Sequence, residues 1–193
     1  LGELEAVRLS LDWASTASQA VGPPLSDVEM SAGGRTFMKL GKKMLSLQPL
    51  AVQEVKPDDS VLGPLAVAGG RGLATTYADL IQAAFHERWW NSNQIVDGAL
   101  NIIPGASLSV DGAAPAPDAL KGMGGASGVV DGPAAATASL TAAAALPTDQ
   151  YTLMESNFSL FWGLAIAAYE GTLVSDDAPY DQYREGNTAA LTK

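Results

Sequence analysis

Apolar residues recur at helical steps in three parts of this 193-residue chain. The last is the strongest. Tyr151, Met154, Phe158, Phe161, Trp162, Ala165, Ile166 and Tyr169 repeat on a three- and four-residue spacing, which predicts one long amphipathic helix. Thr148 or Asp149 can cap its start, and Gly171 can weaken its end. A second stripe joins Tyr77, Leu80, Ile81, Ala84 and Phe85 behind Thr75-Thr76, with Trp89-Trp90 closing it and Asn91-Ser92-Asn93 ending it. The third is less regular. Met30, Phe37, Leu40, Met44, Leu45 and Leu47 straddle Gly33-Gly34, so a short helical turn, a break and a better helix from about Thr36 to Leu47 are expected.

Between these patterns the chain is loop-like. Residues 49–72 are rich in proline and glycine and read as an ordered excursion. From Pro104 to Pro147 the sequence turns to Ala, Gly, Ser and Pro with few large side chains, which predicts a long loop or insertion. Ala134 to Leu146 within it has the propensity of a short alanine helix. The tail from Ser175 to Lys193 carries Asp176, Asp177, Asp181 and Glu185 and should be solvated. No run of alternating strands is visible, and the expected fold class is all-α with long loops. The expected divisions are 1–103, 104–147 and 148–193.

Composition narrows the function. The chain is 47% hydrophobic and 17% charged, as a globular protein is. Its 21 acidic and 11 basic residues give a net charge of -10, which repels a phosphate backbone and argues against nucleic acid. With no cysteine, disulfides, thiolate metal sites and a Cys-x-x-Cys-His haem attachment within this chain are excluded. The longest apolar stretch, Phe158 to Tyr169, is too short for a transmembrane span. Leu1 is followed by acidic residues, so no signal peptide is expected at this start.

Candidate chemistry is sparse. Ser26-Asp27-Val28-Glu29 has the form of a capping box, with Glu29 at its third helical position. The same Glu29, flanked by Val28 and Met30 behind a Pro23-Pro24 corner, would suit a general acid/base if partly buried. His86, the single histidine, has only Glu87 beside it as a further ligand and reads as a surface residue. Trp89-Trp90 and Phe161-Trp162 read as core on helical stripes. Asp176, Asp177 and Asp181 could offer oxygens to calcium but lack a calcium-loop spacing. Gly69-Gly70-Arg71-Gly72 lacks the ending of a phosphate loop.

Two stretches carry a resemblance. Gln19-Ala20-Val21-Gly22-Pro23-Pro24-Leu25-Ser26-Asp27-Val28-Glu29-Met30 resembles the Gln-Ala-x-Gly-Pro…Glu-Met segment of bacterial di-haem cytochrome c peroxidases and their MauG-like relatives. The run from Ala167 through Tyr169-Glu170-Gly171-Thr172-Leu173-Val174-Ser175 to Asp181, Gly186 and Ala190-Leu191-Thr192 resembles that family's Ala-Tyr-Glu-Arg-Thr-Leu-Val-Ser tail pattern. Two positions depart from it. Gly171 stands where the family has arginine, and Leu9 where it has the bridging tryptophan, with Trp13 four residues later.

The resemblance implies a cytochrome c-like helical segment of a two-domain di-haem architecture, lying between the two haem-attachment motifs. Glu29 and Gln19, ten residues apart, would be the distal acid/base and its hydrogen-bonding companion, with Pro23, Met30 and Trp13 near the haem. The cofactor would be haem c held by flanking sequence or another chain, with calcium as a further candidate. The partners would be a haem-bearing polypeptide and a small electron-donor protein, and a homo-oligomer is also expected. The activity would be peroxide reduction outside the cytoplasm, in the periplasm or beyond. An oxygenase-type relative acting on an organic substrate and a haem-free structural or partner-binding subunit are the alternatives.

Overall fold

The computed structural model describes residues 3–12, 14–108, 146–173 and 177–191. The expected alanine helix and most of the Ala/Gly-rich stretch lie outside them, as do Trp13 and Asp176.

Helix α1 (Ser15–Ala20) is short and is followed by a 3-10 turn at Pro23–Leu25. Helix α2 (Phe37–Met44) begins where Thr36 accepts a hydrogen bond from the Lys39 amide, close to the expected start. Helix α3 (Tyr77–Ala84) opens with a complete capping box between Thr76 and Asp79. The Trp89 end does not continue it. Phe85 is extended, and Glu87–Trp89 forms a separate 3-10 turn.

The all-α expectation is wrong. A three-stranded antiparallel sheet, ordered β2-β1-β3, joins β1 (Gln94–Asp97), β2 (Ile102–Ser107) and β3 (Gln150–Tyr151), so the fold is mixed α/β. Its strands show no two-residue alternation: β2 reads Ile102-Ile103-Pro104-Gly105-Ala106-Ser107, with no buried residue among the six. Ile95 and Val96 are both buried in β1, which leaves an apolar pair rather than a repeat. The β1–β2 register slips between Gln94 and Val96, and Gly105 in β2 sits at φ +77°, the backbone region of a glycine bulge. In the turn, Asp97 accepts hydrogen bonds from the Ala99 and Asn101 amides and the Asn101 side chain. These hydrogen bonds hold its carboxyl below the ordinary aspartate range.

The long C-terminal stripe is also divided. Tyr151 pairs with Val96 in the sheet. Helix α4 (Leu153–Ser156) then starts on a Thr152–Glu155 capping box, and helix α5 (Phe158–Glu170) follows after Asn157. The Asn157 amide nitrogen donates to the Trp89 carbonyl at 2.8 Å, so the junction is fastened to the turn after α3. Helix α5 ends at Gly171, as the sequence suggests. Helix α6 (Pro179–Arg184) lies in the exposed tail.

One core gathers these elements. Phe37, Leu45, Ala78, Ile81, Met154, Phe158 and Phe161 are buried together. Phe85 meets Phe161 edge-on at 4.7 Å between ring centroids. At Gly41 an added Cβ would lie 2.9 Å from Phe158 Cβ, so α2 packs against α5 without room for a side chain. The 49–72 excursion is ordered around a smaller cluster of Leu65 and Leu73. No helix among the described residues is long and apolar enough to cross a membrane.

Candidate functional site

The Gln19–Met30 stretch is placed by helix α5. Gly163 of α5 approaches α1 so closely that an added Cβ would sit 2.8 Å from the Ala17 carbonyl oxygen. Trp162 Nε1 donates to the Ala20 carbonyl at 3.0 Å. Pro24 is buried, and Pro23 opens the 3-10 turn half-buried. Up to this point the segment is anchored.

Beyond the corner it is not packed. Glu29 lies in a turn in which Ser26 O accepts from the Glu29 amide at 3.3 Å and from the Ser31 amide at 2.9 Å. The expected helix from Ser26 does not form, and neither does its capping box. Val28 is 89% exposed and Met30 67%, so no apolar face exists there to stabilise a short helix, which is marginal without one. Gln19 and Glu29 are themselves exposed. The apolar shelter expected around Glu29 is therefore not supplied by the described residues.

An open groove of roughly 630 Å³ runs between residues 9–11, α1 and α5. Leu9, Leu11, Ala17, Val21, Leu160 and Leu164 line it, with serines at positions 10, 15, 18 and 159 and no charged side chain. Neither Gln19 nor Glu29 is among its lining residues.

The other sequence candidates are accounted for locally. His86 is exposed, and its Nδ1 accepts from the Arg88 amide at 3.3 Å. The Arg88 guanidinium stacks over Trp89 at 4.6 Å. Asp181 accepts from the Ala178 amide, and Asp177 accepts from the Gln182 side chain. Among the described residues no three His, Asp or Glu side chains are grouped to hold a metal ion.

The described residues do not fit a haem by themselves. There is no cysteine, the sole histidine has one ring nitrogen occupied in a surface turn, and Gln19, Glu29 and Met30 are all exposed. At most they form one side of a site completed by another body.

The sequence reading missed one chemically distinctive group. Glu155 is only 2% exposed. Its Oε2 accepts from the Thr152 amide at 2.8 Å, and its own amide donates to Thr152 Oγ1 at 3.2 Å. Burial pushes its carboxyl above the ordinary range, against the opposing pull of the Thr152 hydrogen bonds and the Lys42 charge. The Thr152-Leu153-Met154-Glu155 run is a capping-box pattern that was legible, but its burial was not.

Comparison of the chain with protein-family models, with curated proteins and with solved structures finds no match.

Proposed function

We propose that this chain is the inter-haem part of a di-haem c-type peroxidase-like oxidoreductase, which reduces hydrogen peroxide with electrons from a small donor protein outside the cytoplasm. The observation that carries the reading is the Gln19–Met30 segment. It has the resemblance's residue order, it is anchored at Ala20 and Pro24, and it then presents a lone carboxylate between two exposed apolar residues. Such an apolar edge gains about 1.5–3 kcal/mol per large side chain when a neighbouring body covers it. That body would carry the haem, which supplies the redox chemistry.

This chain's own contribution is polar and local. Glu29 offers a carboxylate that can hold a proton and release it from an oxygen atom. Gln19 offers an amide that can donate and accept hydrogen bonds. Covering the turn excludes water from the carboxylate, the condition under which proton transfer becomes selective.

The test uses the intact native assembly. A Soret band in the copurified material, with a Cys-x-x-Cys-His motif in the flanking or neighbouring polypeptide, is expected. Glu29→Gln then lowers peroxide turnover by about 10²-fold, the usual scale for loss of a general acid/base. Absence of haem overturns the reading and leaves the exposed apolar edge to a haem-free structural or partner-binding subunit. Unchanged turnover removes Glu29 from the site.

A further inference from the structure

The buried Glu155 lies where three elements meet a link to α2. Lys42 of α2 reaches across to this region. Its Nζ donates to the Gln150 carbonyl at 2.8 Å and to the Pro147 carbonyl at 3.0 Å, and it stands 5.4 Å from the centre of the Tyr151 ring. The Pro147 carbonyl belongs to the approach to β3 and the Gln150 carbonyl to β3 itself, which pairs with β1. The carboxylate belongs to the first turn of α4 and receives the Thr152 amide, the residue directly after β3. Gly41 presses on the same place, since an added Cβ there would be 3.1 Å from the Glu155 carbonyl oxygen. Helix α2 and the sheet are thus joined through one lysine, with one buried carboxyl behind it.

We propose that Glu155 and Lys42 form a pH-responsive latch that fastens residues 147–152, and with them β3, to α2. The charged groups around it are few. Helix α2 supplies Lys42, while its Lys39 and Lys43 are exposed. The strand side supplies Tyr151 and the exposed Asp149; burial, and after it the charges of Asp149 and Glu155, push the Tyr151 hydroxyl above its ordinary range. In β1, Asp97 is engaged by Asn101. In α5 the titratable residues, Tyr169 and Glu170, lie at the far end. Among the described residues, Lys42 is the cation whose charge acts on Glu155.

The direction follows from burial. A carboxyl that holds its proton more tightly in the folded chain than in the unfolded chain contributes stability at low pH. That contribution is lost as pH rises through the raised folded midpoint. The latch is therefore closed when Glu155 is protonated. It loosens on ionisation, when the carboxylate draws water or Lys42 toward itself and away from the carbonyls.

Carboxyl ¹³C NMR of the wild-type chain gives the first measurement. Glu155 should titrate above the ordinary glutamate value of about 4.3, and protection of the Gln150 amide, which donates to the Pro147 carbonyl, should fall over the same pH interval once corrected for its intrinsic exchange rate. A midpoint at or below about 4.3, or Gln150 amide protection that does not follow the titration, overturns the latch. Thermal midpoints supply the second. Glu155→Gln should remove the loss of stability with rising pH in that interval, and Lys42→Met should steepen it. Identical pH profiles for wild type and Glu155→Gln also overturn it; should Glu155→Gln not fold, the wild-type titration decides.

Discussion

Gly163→Ala tests whether α1, and with it the Gln19–Met30 segment, is held by contact with α5. The added methyl would lie 2.8 Å from the Ala17 carbonyl oxygen and 3.3 Å from Val21 Cγ1. Val21 can turn aside, but the Ala17 carbonyl belongs to the backbone of α1 and cannot. Overpacking of this kind costs about 1–3 kcal/mol. Replacing glycine by alanine inside a helix returns about 0.8–1 kcal/mol through propensity. The net loss expected is up to about 2 kcal/mol, or a fall in Tm of up to about 8 °C for a domain of this size. Thermal and urea unfolding followed by circular dichroism measure it. The indole of the neighbouring Trp162 reports the displacement of Ala20, whose carbonyl it holds at 3.0 Å. A variant more stable than wild type by about 1 kcal/mol would show propensity acting alone. That result would refute the close contact and the anchoring of α1 derived from it.

Two further substitutions probe the same architecture. Phe161→Ala removes a ring that is 2% exposed and packed edge-on against Phe85; a loss of about 3–5 kcal/mol is expected in chemical unfolding, and a loss below 1 kcal/mol would place Phe161 outside the core. Trp162→Phe deletes the hydrogen bond to Ala20 and should cost about 0.5–1.5 kcal/mol. Combined with Gly163→Ala in a double-mutant cycle, it should show a smaller clash than the single variant, because α1 is then freer to move away.

The helices were legible where a cap and a stripe coincide. Thr36 and Thr76 each stand at the start of an apolar repeat, and each accepts the amide three residues on. Gly171 ends α5 for the same local reason. The sheet was not legible because its pairing is long-range. Val96 meets Tyr151 across 55 positions of sequence, and Tyr151 also fits the helical stripe that follows it. Spacing alone gave Tyr151 to the helix, whereas tertiary pairing gives it to the sheet. Glu29 failed in the opposite sense. Ser26 and Glu29 have the spacing of a cap, yet the intervening and following residues, Val28 and Met30, have nothing to pack against, so local chemistry had no helix to cap.

The contrast between two carboxylates explains what kind of site this chain can offer. Glu155 is enclosed by its own fold, with a backbone donor at 2.8 Å and a lysine behind it. Its chemistry is therefore turned inward, to the joint between α2 and β3. Glu29 follows a segment that is tied to α5 at Ala20 and buried at Pro24, but it lies beyond that corner in an exposed turn, and its neighbours face water. A general acid/base needs both a positioned carboxyl and exclusion of bulk solvent. The described residues anchor the chain only as far as Pro24 and leave the Glu29 carboxyl exposed. Val7, Leu9, Leu11, Leu25, Val28 and Met30 are all more than 40% exposed within the N-terminal part of the chain. Scattered exposed apolar residues are ordinary, but Val28 and Met30 flank Glu29 directly, so a body that covered them would also shield it. In the proposed assembly, a body covering Val28 and Met30 would complete the environment of Glu29, so the proposed activity would belong to that assembly and not to the described residues alone.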